Sequence, residues 1–241
     1  MAISKTIFIS ADHGLAVVYF LQSDVVPALL SNGVEVVLLI DDALVETFKQ
    51  RFPAPRLTLE GLRLERAEKY FRSVSPAIQW WLDFLRRAGA SKKINLEAVE
   101  SYVNQVKAEA HPRRKRLFPI MQLLVGALRR SRGARRMLLR AQKRFSPEIY
   151  GDLFEKFGPQ LVVASTPGWR YDRYLLREAY SRGVPTASVI IGWDNSSSYS
   201  LPGSPVDWIT CWSEIQKKEL MDGSDWSSER VNVGGIPTYD G

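Results

Sequence analysis

The chain has 241 residues, of which 45% are hydrophobic and 24% charged, with a formal net charge of +7. That length and balance suit an ordinary soluble globular protein with one large domain or two small ones and a sizeable core. No stretch approaches 18 uninterrupted apolar residues, which excludes an evident transmembrane helix. A single cysteine, Cys211, excludes an internal disulfide and fits a reducing compartment, and with only two histidines it excludes a structural zinc site.

The charge is localised. Residues 111–144 hold twelve Lys/Arg and no Asp/Glu, which leaves 21 basic against 26 acidic residues elsewhere, a net of −5. The chain is a mildly acidic domain carrying one strongly basic insert, and that separation bears on partners more than the overall charge does.

In chain order, KTIFIS (5–10) reads as a buried first strand rather than part of a signal peptide. A turn at Asp12-His13-Gly14 leads into a helix to about Leu30, stopped by Asn32-Gly33. VEVVLLI (34–40) is a continuous apolar run, as in a parallel strand covered on both faces. Asp41-Asp42 is positioned to cap a helix over 43–51 that Pro53 ends. A weaker strand falls within 57–65.

From about 73 to 157 the pattern is helical. Ser75-Pro76 and Ser146-Pro147 look like helix starts, and Asn95 like a cap. An α/β rhythm then returns: a strand at 160–165, a helix from Tyr171, a strand over PTASVIIG, another over DWITCWS, a helix over EIQKKELMDG and a last strand at 230–235. Alternating strands and helices predict an α/β fold with a Rossmann-like, doubly wound, mostly parallel sheet and a helical, basic insert.

Three polar loops then fall at the carboxyl edge of the sheet, where such folds bind ligands. They carry Asp12-His13-Gly14, Ser165-Thr166-Pro167-Gly168-Trp169 and Trp193-Asp194-Asn195-Ser196. His13 is a candidate general base, with Asp12 or Asp194 fixing its tautomer; equally, Asp12-His13 could simply cap the next helix. Gly14 permits close backbone approach of an anionic group at a helix N-terminus. Ser165 to Gly168 either bind a phosphate or make a turn. Trp193 either stacks on a sugar ring, with Asp194 and Asn195 binding hydroxyls, or plugs the loop. No G-x-G-x-x-G, Walker A or D-x-D motif occurs.

In the basic segment, Leu117, Ile120/Met121, Leu124 and Leu128 recur at helical spacing, as do Ala134, Met137, Leu138, Ala141 and Phe145. Arg129, Arg130, Arg132, Arg135, Arg136 and Arg140, with Lys143 and Arg144, crowd around them. The pattern fits an amphipathic helix pair on an anionic bilayer, apolar stripes packed on the domain beneath a solvated charged face, or a nucleic-acid contact, although no nucleic-acid motif accompanies the charge.

Three segments carry a resemblance. The opening, ADHGLAVVYFLQSDVVPALLSNGVEVVLLIDD, resembles the start of the N-terminal domain of GT-B glycosyltransferases that build bacterial surface polysaccharides. The middle shows Glu178-Ala179, Gly183-Val184-Pro185-Thr186, the Trp193-Asp194-Asn195 loop, Pro205/Asp207 and Trp212-Ser213-Glu214 in the order of that family. The end resembles its V-x-V-x-G-x-P-x-x-D segment through Val231, Val233, Gly235, Pro237 and Asp240. The match spans about half of the chain.

The resemblance implies that residues 1–241 form one acceptor-binding, Rossmann-like domain with an insert at about 73–157, a C-terminal donor-binding domain lying outside this chain. It implies a metal-independent glycosyltransferase, inactive as this isolated domain. The enzyme would act at the cytoplasmic membrane face on a surface-polysaccharide or lipid-linked acceptor, with a nucleotide-sugar donor as substrate and no cofactor. Under it, Asp12 or His13 is the base; Gly14, Ser165, Thr166, Trp169, Trp193, Asp194, Asn195 and Ser196 contact substrate; Arg113, Arg114, Lys115, Arg116, Arg129, Arg130, Arg135, Arg136 and Arg140 dock on membrane. Two alternatives stand beside it: a nucleotide-sugar epimerase of the same architecture, and a non-catalytic module binding anionic lipid or RNA.

Overall fold

The computed structural model describes residues 5–94, 96–192, 196 and 200–236. Seven strands form one parallel sheet: β1 (Thr6–Ser10), β2 (Glu35–Ile40), β3 (Leu57–Gly61), β4 (Leu161–Ala164), β5 (Thr186–Val189), β6 (Trp208–Cys211) and β7 (Val231–Val233), in the order β3-β2-β1-β4-β5-β6-β7. This is the α/β, Rossmann-like, doubly wound architecture that the alternation of elements predicts. β1 is central, pairing Phe8 with Val37 of β2 on one side and with Val162 of β4 on the other.

A parallel strand in mid-sheet is covered on both faces, and each face here has its own core. On one face Ile9, Val36, Leu38 and Ile40 pack against α1 (Gly14–Leu21) and α2 (Val25–Ser31). On the other, Phe8, Val37 and Leu39 pack against α10 (Gly151–Phe157) and α11 (Asp172–Ser181). The expected single helix to Leu30 is broken at 22–24. Ser23 Oγ donates to the Tyr19 carbonyl and accepts from Val25 N at 3.3 Å, so the chain bends by 42° between the two halves.

Asp41 caps the following turn through Ala43 N at 3.0 Å. Asp42 instead reaches across to the next connection, where it accepts from Arg63 N at 3.0 Å and Leu64 N at 2.9 Å. It thereby caps α4 (Leu64–Ser73), a helix that starts earlier than the expected helical region.

The insert continues through α5 (Pro76–Ala88), α6 (Leu96–Glu109), α7 (Pro112–Lys115), α8 (Phe118–Arg130) and α9 (Arg132–Gln142). It has its own apolar centre, in which Trp81, Phe84 and Phe118 meet edge to face at ring separations near 5.4 Å. Two expected starts differ. Pro76 is the first residue of α5, but Ser75 is left-handed (φ 47°) and makes no cap bond. Ser146-Pro147 opens no helix: Ser146 Oγ donates to the Lys143 carbonyl, the Tyr150 N–H is taken by Glu178 Oε2 at 2.8 Å, and α10 begins only at Gly151. Asn95 lies outside the described residues. Among the described residues no single helix is long and apolar enough to cross a membrane.

The insert is fastened to the sheet domain largely by arginines. Arg86 Nη1 donates to the Leu201 carbonyl at 2.9 Å. Arg177 donates to the Gly203 carbonyl (Nε, 3.0 Å) and the Phe145 carbonyl (Nη1, 2.7 Å). Arg135 forms a two-pronged pair with Asp225, at 2.6 and 2.8 Å, beyond α12 (Glu214–Ser224). The 200–204 loop so held lies directly on the loop after β4: a Cβ at Gly203 would sit 1.8 Å from the Gly168 carbonyl oxygen.

The Gly203→Ala variant is therefore expected to lose about 2–3 kcal/mol of stability, read as a lowered urea midpoint at unchanged slope. A wild-type midpoint would mean that the two loops separate without cost.

Candidate functional site

Strand order reverses between β1 and β4, so the loops leaving their carboxyl ends diverge and open a crevice. Asp12 sits there, its side chain 2% exposed. Asp12 N is 3.4 Å from Ser165 Oγ, and that hydroxyl donates to Asp12 Oδ1 at 2.8 Å. His13 Nδ1 lies 2.7 Å from the same oxygen. With Asp12 as the acceptor of this contact, a neutral His13 ring carries its proton on Nδ1 and its lone pair on Nε2. Among the described residues Asp12 Oδ2 is buried with no hydrogen-bond donor, and Arg170 Nε lies 3.7 Å from it.

The residues bring Asp12, His13 and Ser165 together as one constellation. His13 starts α1 from extended backbone and its side chain makes no cap bond, which removes the simple capping account. A Cβ on Gly14 would meet nothing within 4 Å, so that side of the loop is open.

Thr166 and Trp169 are turned to structural use. Thr166 Oγ1 donates to Asp172 Oδ2 at 2.5 Å and accepts from Trp169 N at 2.9 Å, with Gly168 left-handed at φ 81°. This is a turn rather than a phosphate cradle. Trp169 is buried among Ile190, Ile209, Cys211 and Leu220, away from the crevice. Ser196 is buried and donates to Glu219 Oε2. Trp193, Asp194 and Asn195 lie outside the described residues.

Beside Asp12 is a cavity of about 530 Å³, lined also by Asp41, Asp83, Arg170, Arg173, Tyr171 and Phe71. Asp83 Oδ1 accepts from Arg86 Nε at 2.9 Å and from Arg173 Nη1 at 3.1 Å. Burial raises the Asp83 pKa, but the two guanidinium groups more than offset it and bring it down to about 2. Asp172 moves the other way. Burial, then the nearby charge of Asp12, raises it to about 7, against the lowering effect of the Thr166 hydrogen bond. One carboxylate at this edge is thus held ionised and another close to neutral. Burial, then Arg173, brings the Arg177 guanidinium down to about 9.

Sequence reasoning missed Asp83, Arg170, Tyr171 and Arg173. Available signals were the Asp83/Arg86 pair spaced three apart on an aromatic-rich helix, and the charged Asp172, Arg173, Arg177 and Glu178 interleaved with Tyr174, Leu175, Leu176 and Ala179 in DRYLLREA. Among the described residues no three His, Cys, Asp or Glu side chains converge to hold a metal ion.

The basic segment divides into separate roles. Arg135, expected on the membrane side, is buried and committed to Asp225. Arg129 Nε donates to the Ala88 carbonyl at 3.3 Å and Arg114 stacks on Trp80 at 4.4 Å. Arg113, Lys115, Arg116, Arg130, Arg136 and Arg140 are exposed. Leu128 and Leu138 of the apolar stripes are core, whereas Leu117, Ile120, Leu123 and Leu124 form an exposed ridge on α8, with Leu123 76% exposed.

Fold and site together define an α/β protein with a polar crevice at the switch point of a Rossmann-type sheet. Compared with protein-family models, characterised proteins and solved structures, the chain finds no significant match in any of the three.

The raised Asp172 pKa carries a pH signature. An unfolded aspartate loses its proton near pH 4, whereas the folded one keeps it up to about 7. In that window the native state binds more protons, so this contribution to stability is full below about pH 4 and is lost as pH rises toward 7. Asp172→Asn is expected to flatten that decline, measured as urea midpoints at pH 5 and pH 8. An unchanged decline would place the proton elsewhere.

Proposed function

We propose that this chain is the acceptor-binding part of a metal-independent GT-B-type glycosyltransferase acting at a membrane surface on a polysaccharide or lipid-linked acceptor. The observation that carries the reading is the Asp12–His13 pair at the switch point, opening beside a cavity of carboxylates, guanidinium groups and aromatic rings. Sugars are bound by that mixture, with charged and polar groups on hydroxyls and rings against apolar faces.

In this mechanism an acceptor hydroxyl gives its proton to His13 Nε2 as its oxygen bonds to the anomeric carbon of the donor. The bond from that carbon to the nucleotide phosphate breaks, and the phosphate leaves with the electron pair. Asp12 holds the ring in the required tautomer and offsets the charge of the imidazolium. Ser165 fixes Asp12 in turn. By the resemblance to GT-B enzymes, a second domain holds the donor. The membrane part of the reading is supported by the α8 ridge of Leu117, Ile120, Leu123 and Leu124 with Arg113, Lys115, Arg116 and Arg130 around it. An exposed apolar ridge flanked by cations suits an anionic interface, and a freely soluble epimerase has no use for it.

In a transfer assay on the whole enzyme, His13→Ala is expected to lower kcat by about 10²–10⁴-fold, with a much smaller change in KM. Full activity in that variant removes His13 as the base. Separately, sedimentation with vesicles containing anionic phospholipid should retain the chain, and Leu123→Glu should release it. Equal retention of wild type and variant would move the contact off α8.

A further inference from the structure

A second cavity, of about 600 Å³, lies under the amino ends of β6 and β7, at the sheet edge opposite the Asp12 crevice. One wall is α9, whose Arg132, Arg136, Arg140 and Lys143 line it. Their spacing of four, four and three residues puts them on one helix face, about 6 Å apart for each step of four. Arg230 lines it too, and Trp226, Pro205 and Val206 supply apolar lining.

The charge balance is uneven. Of the two carboxylates lining the cavity, Asp225 is taken by Arg135 at 2.6 and 2.8 Å, with Arg132 Nε at 3.8 Å. Lys143 Nζ sits 4.0 Å above the Tyr180 ring. The guanidinium groups of Arg136, Arg140 and Arg230 have no acidic or hydrogen-bonding partner among the described residues, and of the lining carboxylates only Glu229 remains to oppose them. Three guanidinium groups without a partner share the lining of one cavity with apolar side chains, whereas a solvated helix face would be convex.

We propose that this groove between α9 and the 225–230 segment binds a phosphate or diphosphate group, gripped by Arg136, Arg140 and Arg230, with the apolar part of the same ligand on Trp226 and Pro205. Guanidinium forks match phosphate oxygens two at a time, and neighbours one helical turn apart reach both halves of a diphosphate. The phosphate could belong to a soluble ester or to a lipid headgroup. The site is independent of the transferase reading, since none of its residues lines the Asp12 crevice. It also gives the cations of α9 a different task from those around α8.

The test is calorimetric titration of the chain with inorganic pyrophosphate. Wild type is expected to bind saturably. The Arg136→Gln/Arg140→Gln double variant should bind at least about tenfold more weakly. Glu229→Gln should bind more tightly, because it removes the opposing charge. Arg113→Gln/Lys115→Gln, which removes the same charge from elsewhere in the insert, should bind as wild type does. Absence of saturable binding, or equal weakening by the 113/115 variant, overturns the proposal. A vesicle arm separates the two sources. Phosphatidate vesicles that pyrophosphate displaces through Arg136 and Arg140 indicate a headgroup; vesicles indifferent to pyrophosphate, with saturable binding of free pyrophosphate intact, indicate a soluble ester.

Discussion

The structure depends on one topological constraint, the reversal of strand order between β1 and β4. From β1 the chain winds outward through β2 and β3 on one face, then returns across the sheet and winds outward through β4 to β7 on the other. The crossover making that return holds the whole helical insert, α4 to α10. The same reversal leaves the carboxyl ends of β1 and β4 without a connection running over them. That uncovered edge is why Asp12, His13 and Ser165, 153 residues apart in the chain at their extremes, meet beside a cavity that the insert then walls with Asp83.

Joining an insert with its own core to a Rossmann-type sheet requires contacts at loops, where backbone carbonyls have no ladder partners. Buried arginines meet that need. Arg86 and Arg177 are nearly inaccessible to solvent, and they donate to the carbonyls of Leu201, Gly203 and Phe145. Each brings an unscreened charge into the interior, and burial accordingly lowers both pKa values. The compensation is shared unequally. Asp83 answers Arg86 and Arg173, whereas Arg177 relies on neutral acceptors. Arg86 and Arg173 together keep Asp83 ionised beside a cavity that Asp12, Asp41 and Arg170 also line.

How far the sequence could be read follows from the range of the interactions involved. VEVVLLI and KTIFIS give their strands away by local hydrophobic continuity, and the Asp12-His13 turn follows from the strand before it. The sheet and the position of the site were legible for that reason. α4 was missed because its cap is Asp42, 22 residues upstream of Leu64, and its own sequence is mostly charged. The Ser146-Pro147 signal failed because Glu178, from another helix, takes the Tyr150 N–H and delays the start of α10. Thr166 and Trp169 resemble ligand-binding residues in type and position. Their partners lie elsewhere in the chain or in the fold: Thr166 is held by Asp172 and the Trp169 N–H, and Trp169 packs on Ile190, Ile209 and Leu220.

Charge was the least legible feature, because twelve cations in one segment look alike until their partners are known. The fold sorts them by what they face. Arg135 meets a carboxylate and becomes a buried fastening. Arg114 meets an indole and covers it. Arg136 and Arg140 meet neither, and they line a concave wall. A basic helix laid on a flat bilayer would need its cations and its exposed leucines on one continuous face. Here the exposed apolar ridge belongs to α8 and the unpaired guanidinium stripe to α9, which turns Leu138 into the core and leaves Met137 exposed. Those two helices therefore present different chemistry to different partners: an apolar ridge suited to an interface, and a charged groove suited to a discrete anion.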